Sequence, residues 1–476
     1  MKPKPAWLVS KPMKYLSIRT ATIAVVLVAS IVASAQKTAP SVISEQNVRA
    51  EMGFLASDAM QGRGSGTGYE HIAAEYIGSQ FMQFGLEPAG ESGWDGKPTF
   101  VQTVNIDRGS FTGSPTLKYG STTLEHGKEM LVIRTNTGAV SGNLQKLMFG
   151  DKITPETAAF IRLKDGDDAS KLAQGIQGLM NSGASIIILE ETPQWRANWA
   201  TIAARKVSFT ASAKPTVLIA VSKDAAAALA AAPEGSQVEF GGQLAPAVKQ
   251  QTFNAMGKIT GSDPKLASEV ILLTSHLDHL GVRENAPGVD KIFNGADDDA
   301  SGSTAVLEMA RVLGSGKKPK RTVYFVCFGS EEAGGYGATW FVNNLPFPKD
   351  MLVANLEFEM IGRPDEKVKP EELWLTGYER SNLGPELAKR GAKLVQDPHP
   401  DQNFFSRSDN IQLARAGIIA HTVSSYGLHK DYHQASDEIK TIDFVHMTRS
   451  INSMVEPVQW LVNTDFKPSW NPGGKP

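Results

Sequence analysis

Residue types able to bind a metal recur at the ends of apolar runs in this 476-residue chain, and their spacing is the first clue to chemistry. An apolar run reaches Ser275-His276-Leu277-Asp278-His279. A strand has period two, so His276 and Asp278 share a face, where a carboxylate can orient an imidazole with its free nitrogen towards a metal; His279 falls on the other face. Taken alone, such a histidine is as readily an ordinary core or surface residue. Asp297, Asp298 and Asp299 then stand side by side before a helix. Mutual repulsion of three carboxylates exceeds the roughly 0.3–1 kcal/mol that a helix dipole returns. A bound cation resolves it; the other reading is a solvated acidic loop, or one that takes Ca²⁺. Glu331 and Glu332 follow an apolar strand, and adjacent carboxylates at a strand end point different ways, so one can bind metal while its neighbour meets a water. Most such pairs are simply solvated. Glu357 and Glu359 share a face of a further apolar strand, with Glu359 nearer its end, and Tyr432-His433 adds a late histidine. Two imidazoles with carboxylates make a mixed N/O donor set suited to Zn²⁺ and, less well, to Mn²⁺ or Co²⁺. A thiolate site is excluded, because the chain has one cysteine, Cys327, which reads as a small buried core residue.

The elements that must hold these groups can be read from periodicity. Strands are expected at 269–278, 321–328, 351–360, 372–376 and 418–424, and helices at 301–313, 381–392 and from Asp443 onward, where Phe444, Met447, Ile451, Met454 and Val458 face inward. Pro457 should kink or shorten that last helix. Strand, helix and strand in alternation imply a mixed, mostly parallel sheet flanked by helices, which gathers ligands at the carboxyl ends of its strands. Upstream, a helix carries Val48, Met52 and Leu55 inward. It leads into a glycine-punctuated loop at 57–66, and a second helix directs Ile72, Tyr76, Phe81 and Phe84 to the core before Gly85 ends it. A strand follows at 99–106. Between 120 and 249 short strands (130–133, 146–149, 159–163, 184–189, 215–220) alternate with helices at 170–181 and 224–232, and no ligand-spaced cluster appears. This reads as an inserted smaller α/β module that either shapes a cleft or acts as a spacer.

Composition narrows the classes. With 41% hydrophobic residues and a net charge of −2, the chain can bury a large core and lacks the basic field that nucleic acid or acidic lipid would require. At the N-terminus, Lys2, Lys4, Lys11, Lys14 and Arg19 precede an apolar run from Ala21 to Val32 and the small-residue site Ala33-Ser34-Ala35. That is the pattern of a cleaved export signal over 1–35; the other reading is an uncleaved anchor. The run falls short of the roughly 20 apolar residues of a spanning helix, so no stable membrane span is expected after cleavage, and the mature protein should be periplasmic or extracellular.

The order His276-x-Asp278, Gly295-Ala296-Asp297-Asp298-Asp299-Ala300-Ser301-Gly302, Glu331-Glu332, Glu359-Met360-Ile361-Gly362-Arg363 and Tyr432-His433 resembles the two-zinc aminopeptidase family, whose relatives include glutamate carboxypeptidase, glutaminyl cyclase and the transferrin receptor. The loop at 57–66 and Phe84-Gly85-Leu86-Glu87-Pro88 resemble that family's N-terminal part, and the insert at 120–249 is similar to its protease-associated domain. The resemblance implies a phosphorylase/hydrolase-like zinc peptidase fold. Its parts would be an N-terminal piece at 36–119, the insert, a catalytic domain at 250–466 and a flexible tail at 467–476. It implies two Zn²⁺ per chain: Asp298 bridging, His276 and Glu359 on one ion, Glu332 and His433 on the other. Glu331 would be general base to a water held between the ions, Asp278 the carboxylate behind a ligand, Tyr426 an oxyanion donor and Asp298-Asp299 a cis peptide. Where Glu359 stands many members carry Asp; the longer side chain keeps charge and donor type, so a shifted but intact ligand is expected. The implied activity is removal of N-terminal residues from peptides. The alternatives are a carboxypeptidase, a glutaminyl cyclase, or a non-catalytic receptor-like relative, which loss of ligands would mark. The loop residues Phe404-Phe405 and Ser408-Asp409-Asn410 either line the cleft or pack as ordinary loop. Substrate preference and oligomeric state are not legible.

Overall fold

Apolar runs long enough to be buried on both sides dictate where the main sheet forms. In the computed structural model, which describes residues 43–164, 176, 179–180, 182–210 and 214–476, they become its central strands. The leader at 1–35 lies outside the described residues, as does most of the helix expected at 170–181. The strands that matter here are β1 (Val101–Phe111), β2 (Leu244–Ile259), β3 (Val270–His276), β4 (Thr322–Phe328), β5 (Leu352–Phe358), β6 (Leu373–Leu375), β7 (Leu394–Gln396) and β8 (Ala420–Ser424). They lie in the order β7-β6-β8-β5-β3-β4-β2-β1, and Ser208–Thr210 adds an edge beyond β1. The sheet is mixed. Parallel pairing runs through β8-β5-β3-β4 at the centre, whereas β2 pairs antiparallel with β4 and β1, and β6 antiparallel with β8.

Alternation along the central strands feeds two cores. Ile271 and Leu273 of β3, with Val323, Phe325 and Cys327 of β4, belong to one; Val270 and Leu272, with Tyr324, Val326 and Phe328, belong to the other. Both faces of the parallel segment are therefore covered, which is the condition under which parallel sheets occur. The first core is closed by helices α1 (Glu45–Leu55), α2 (Gly68–Gln83), α3 (Gly302–Ser315) and α5 (Phe444–Asn463); α4 (Asn410–Arg415) packs on the opposite face.

Two local expectations are corrected. Ile72 is 48% exposed, because α2 turns its small residues Ala73, Ala74 and Gly78 to the sheet with Ile77 and Phe81, so the buried stripe is rotated past Ile72. Nor does Pro457 shorten α5, which runs on to Asn463. Met454, Val458, Leu461 and Val462 are all buried there, and burying such side chains at roughly 1.5–3 kcal/mol each outweighs the hydrogen bond a proline removes.

Strands between Thr116 and Gly241 form a second, eight-stranded sheet around its own core of Leu117, Phe160, Ile188, Ile219, Leu229 and Phe240. The chain leaves the main sheet at the end of β1 and returns on β2, and these two strands pair with each other from Leu244↔Phe111 to Ala255↔Val101. Thr116–Tyr119 and Gln237–Gly241 were not marked as strands by sequence pattern; their alternation is short and half exposed. No helix among the described residues is long and apolar enough to cross a membrane.

Candidate metal centre

Because β3, β4, β5 and β8 run parallel, their carboxyl ends share one edge, and the residues that follow each of them meet there. His276 closes β3. Its Nε2 lies 3.1 Å from Asp298 Oδ1 and 4.0 Å from Glu359 Oε1, the latter one residue beyond β5. On the other side of the same carboxylate, Asp298 Oδ2 lies 3.2 Å from His433 Nε2 and 3.8 Å from His279 Nδ1. Glu332 Oε1, beyond β4, is 3.1 Å from His433 Nε2 and 2.9 Å from His279 Nδ1. Asp298 is thus the shared member of two groups, His276–Asp298–Glu359 and His279–Asp298–Glu332, each tight enough to hold a cation.

The three aspartates divide their work. Asp299 accepts from the backbone N–H of His276 (3.2 Å), Gly302 (2.9 Å) and Met360 (3.1 Å), tying the ends of β3 and β5 to the start of α3. Asp297 accepts from Gly362 N (2.7 Å) and lies 2.9 Å from His429 Nε2. Asp437 in turn accepts from the N–H of both Asp297 and Asp298, at 3.1 Å. Repulsion among neighbours is therefore relieved mostly by backbone amides, and of the three only Asp298 stands among His276, His279 and His433. Its peptide to Asp299 is cis. Gly295 makes the approach possible: its φ is 59°, and an added Cβ would collide with the Asp298 carbonyl and the His279 ring.

Glu331 is aimed by two carboxylates. Glu70, buried in α2, accepts from Ser330 N (2.7 Å), Thr252 Oγ1 (2.8 Å) and Gly66 N (2.9 Å), fixing Ser330 at φ 54° just ahead of it. Asp278 accepts from Glu331 N (3.0 Å), Glu332 N (3.3 Å) and the Ser65 hydroxyl. Its nearer oxygen stands 3.6 Å from His276 Nδ1, beyond hydrogen-bond range, so Asp278 mainly holds the Glu331-Glu332 backbone. Behind the site Arg63 is fully buried and donates to the carbonyls of Leu55, Leu277 (2.9 Å), Asn294 (2.8 Å) and Gly295 (2.9 Å), stitching the N-terminal loop to both turns that carry candidate ligands.

The electrostatics are those of a buried acid-rich cluster. Burial, then Asp409, Glu332 and Glu359, hold the Glu331 carboxyl well above the ordinary carboxylate range. Burial together with Asp298 and Glu332 lifts Glu359 to about 7, although His276 opposes it. Burial would lower His276, but Asp278, Asp298 and Asp299 outweigh it and raise the imidazole well above its usual value. His433 is pushed up to about 9, as Asp298 and Glu332 overcome burial. Asp298 goes the other way: against burial, His276, His433 and His279 hold it well below its usual value. Both ring nitrogens of His276 and of His279, and Glu332 Oε1, are buried without a hydrogen bond of acceptable geometry. Buried polar atoms without partners are costly, and imidazole and carboxylate atoms converging in this way have the donor chemistry that divalent zinc takes.

His279 was placed on the far face by the strand pattern, but β3 stops at His276 and the alternation stops with it; the turn, held by His279 N to Arg63 O (3.1 Å), swings His279 back into the site. Asp409, seen in sequence only as a candidate cleft residue, is 1% exposed with both oxygens unpartnered, and burial and Glu357 push its carboxyl well up. Glu357 sits deeper than Glu359. It accepts from Asn410 N and is pushed up to about 8, first by burial and then by Glu359. Tyr426 is buried against Phe404 and His429 (ring centroids 5.7 and 5.0 Å), and its phenol is pushed up to about 12, chiefly by burial. With Glu359, Trp374, Phe404 and Tyr432 it lines a small hollow of about 30 Å³. A larger cleft of about 480 Å³ opens at Glu331 and Asp409.

Comparison with known proteins agrees with this geometry. Residues 254–456 match the model of peptidase family M28. Leupeptin-inactivating enzyme 1 of Streptomyces exfoliatus is 26% identical over 224 residues, 44% of this chain and 48% of that enzyme. An aminopeptidase of Pseudomonas aeruginosa (strain UCBPP-PA14) is 36% identical over 118 residues, 25% of this chain and 19% of its own. The chain thus spans about half the length of the first and a smaller share of the second. Among solved structures, an aminopeptidase from Aneurinibacillus sp. strain AM-1 shares the fold, with a TM-score of 0.50 and 19% identity over 87% of this chain and 93% of that one. The matched segment runs from β2 into α5 and carries His276, Asp298, Glu332, Glu359 and His433 together.

Proposed function

We propose that the protein is a zinc-dependent aminopeptidase that binds two Zn²⁺ per chain and removes N-terminal residues from peptides. The observation that carries this is the division of Asp298: Oδ1 faces His276 and Glu359, Oδ2 faces His433, and Glu332 stands beside His433, an arrangement suited to two adjacent cations sharing one carboxylate. His276 and Glu359 would hold one ion, Glu332 and His433 the other, with Asp298 common to both. His279, in contact with Glu332, either braces that ligand or joins the set. When bound, such ions supply Lewis-acid polarisation of a carbonyl and acidification of water.

The protein's own groups do the rest. Glu331, which lines the cleft, takes the proton of the attacking water and delivers it to the departing amine. Asp278 and Glu70 keep that carboxylate in line through the backbone of residues 330–332. Tyr426, its phenol kept protonated by burial, donates to the developing oxyanion. The surplus of buried carboxylates around Glu359 and Asp409 suits the ammonium of a free N-terminus. The basic leader and the short apolar run support export with removal of residues 1–35. Departure on β1 and return on β2 supports reading residues 120–249 as an inserted protease-associated-like domain.

The test is Glu331→Ala. Hydrolysis of an aminoacyl p-nitroanilide should fall by about 10²–10⁴-fold, the usual worth of a general base, with metal content near two per chain by elemental analysis. Unchanged turnover would remove Glu331 from its role, and equal cleavage of N-acetylated and free substrates would rule out an aminopeptidase.

A further inference from the structure

The small hollow beside the metal centre has a rigid wall. Trp374, 2% exposed, stacks on Phe404 with ring centroids 5.2 Å apart and 22° between planes, and Phe404 meets Tyr426 edge-on at 5.7 Å. The indole is also pinned from behind. Its Nε1 donates to Asp365 Oδ2 (3.1 Å), which takes His399 Nε2 as well (2.8 Å), while Asp365 Oδ1 accepts from the backbone N–H of Lys367 (2.9 Å). A carboxylate only accepts, so His399 carries its proton on Nε2, and Nδ1 is left to accept from Lys367 Nζ (3.1 Å). Asp365 and His399 are both buried, so swinging the indole aside would strip a buried N–H and a buried carboxylate of a partner, which is costly. Two hydroxyls that line the same hollow are committed to neighbours, Thr422 Oγ1 to Glu357 (3.4 Å) and Ser424 Oγ to the Met360 carbonyl (3.2 Å).

We propose that Trp374 limits the depth of the hollow that takes the substrate's first side chain, and so restricts this protein to peptides that begin with glycine, alanine or serine. The proposal rests on the aminopeptidase reading and adds the substrate class. The hollow is lined by Glu359, one of the carboxylates suited to the free ammonium, and by Tyr426, the donor assigned to the oxyanion. Ammonium and scissile carbonyl are both bonded to the α-carbon of the first residue, so the side chain on that carbon is the part of the substrate that enters the hollow. A volume of about 30 Å³ has room for roughly two water-sized groups. A methyl or hydroxymethyl group fits. The isobutyl group of leucine or the benzyl group of phenylalanine would have to displace an indole held by its face and by its N–H edge, and forcing larger groups into a packed wall is unfavourable. The wider cleft at Glu331, about 480 Å³, is left for the residues that follow the first.

The experiment uses the zinc-loaded full chain with alanine hydroxamate and leucine hydroxamate, which carry the same ammonium and the same chelating group and differ only in the side chain. Calorimetry should show at least about tenfold tighter binding of the alanine compound, the reverse of the order that apolar burial alone would give. Trp374→Leu should invert that order. Trp374→Phe, the milder change because it keeps an aromatic ring against Phe404, should narrow it to within about threefold, and this ratio decides if Trp374→Leu does not fold. The proposal is overturned if leucine hydroxamate binds the original protein as tightly as alanine hydroxamate, if alanine hydroxamate does not bind, or if the full preference for alanine survives in Trp374→Phe. If the preference is present but neither alanyl nor leucyl peptides are hydrolysed, the aminopeptidase reading fails and the pocket assignment stands; if leucyl peptides are hydrolysed as fast as alanyl ones, only the size limit fails.

Discussion

His276 and His421 lie in the same parallel segment, on β3 and β8 with β5 between them, and both are buried to within 1%. Their electrostatic fates are opposite. His421 sits inside β8 with neutral hydrogen-bond partners, 2.7 Å from the Thr376 carbonyl through Nδ1 and 2.7 Å from Ser381 Oγ through Nε2. The carbonyl can only accept, so Nδ1 carries the proton and Nε2 accepts from the serine; burial lowers the group to about 4. His276 occupies the strand end, where carboxylates crowd in from four directions and raise it instead. Burial alone decides nothing: a histidine within a strand is solved as a neutral core residue, and the same side chain at the carboxyl edge meets whatever the neighbouring strands deliver.

The largest way to break this contrast is Asp298→Asn, which keeps the shape and removes the charge shared by both groups. Metal content should fall below one per chain, with affinity reduced by more than the roughly 10–100-fold typical of losing a ligand's supporting partner; retention of two ions would dissolve the distinction between edge and interior. Arg63→Met tests the edge from behind. It strips a buried cation from four carbonyls, and urea unfolding should show a loss of about 3–5 kcal/mol; a loss under about 1 kcal/mol would mean the turns hold themselves.

The smallest effect sharpens the interior side. His421 has a folded value of about 4 against the ordinary 6.5. As pH falls below 6.5 the unfolded chain gains a proton that the folded chain refuses, so stability drops between 6.5 and 4 by up to about 3 kcal/mol and then levels off. Glu70, pushed up to about 8 mainly by burial, works in the opposite sense, its contribution being lost as pH rises from 4.5 through 8. The two overlap, so the readout is the difference between the original protein and His421→Gln across that window, with the imidazole followed by NMR. Titration of His421 near 6.5 would cancel the contrast.

Much of the metal centre was legible because strand ends are. His276, Glu332 and Glu359 each follow an apolar run, and the Asp298 motif precedes a helix whose apolar face is plain in the sequence. His279 was not, since period two says nothing once a strand has stopped. Asp409 and Arg63 reach the site from far along the chain, and no local pattern distinguishes them from loop residues. Pro457 misled for a related reason: a local rule about one hydrogen bond met a helix face held by buried contacts along its whole length.

Arg63, Ser65 and Glu70 all lie ahead of residue 254, yet they clasp Leu277, Asp278 and Ser330. A fragment excised at 254–456 would keep every candidate ligand and forfeit the clamps that aim them. The portion recognisable by kinship therefore lacks the contacts that aim its candidate ligands, and shortening the protein from its front would loosen the candidate site before any of those residues was touched.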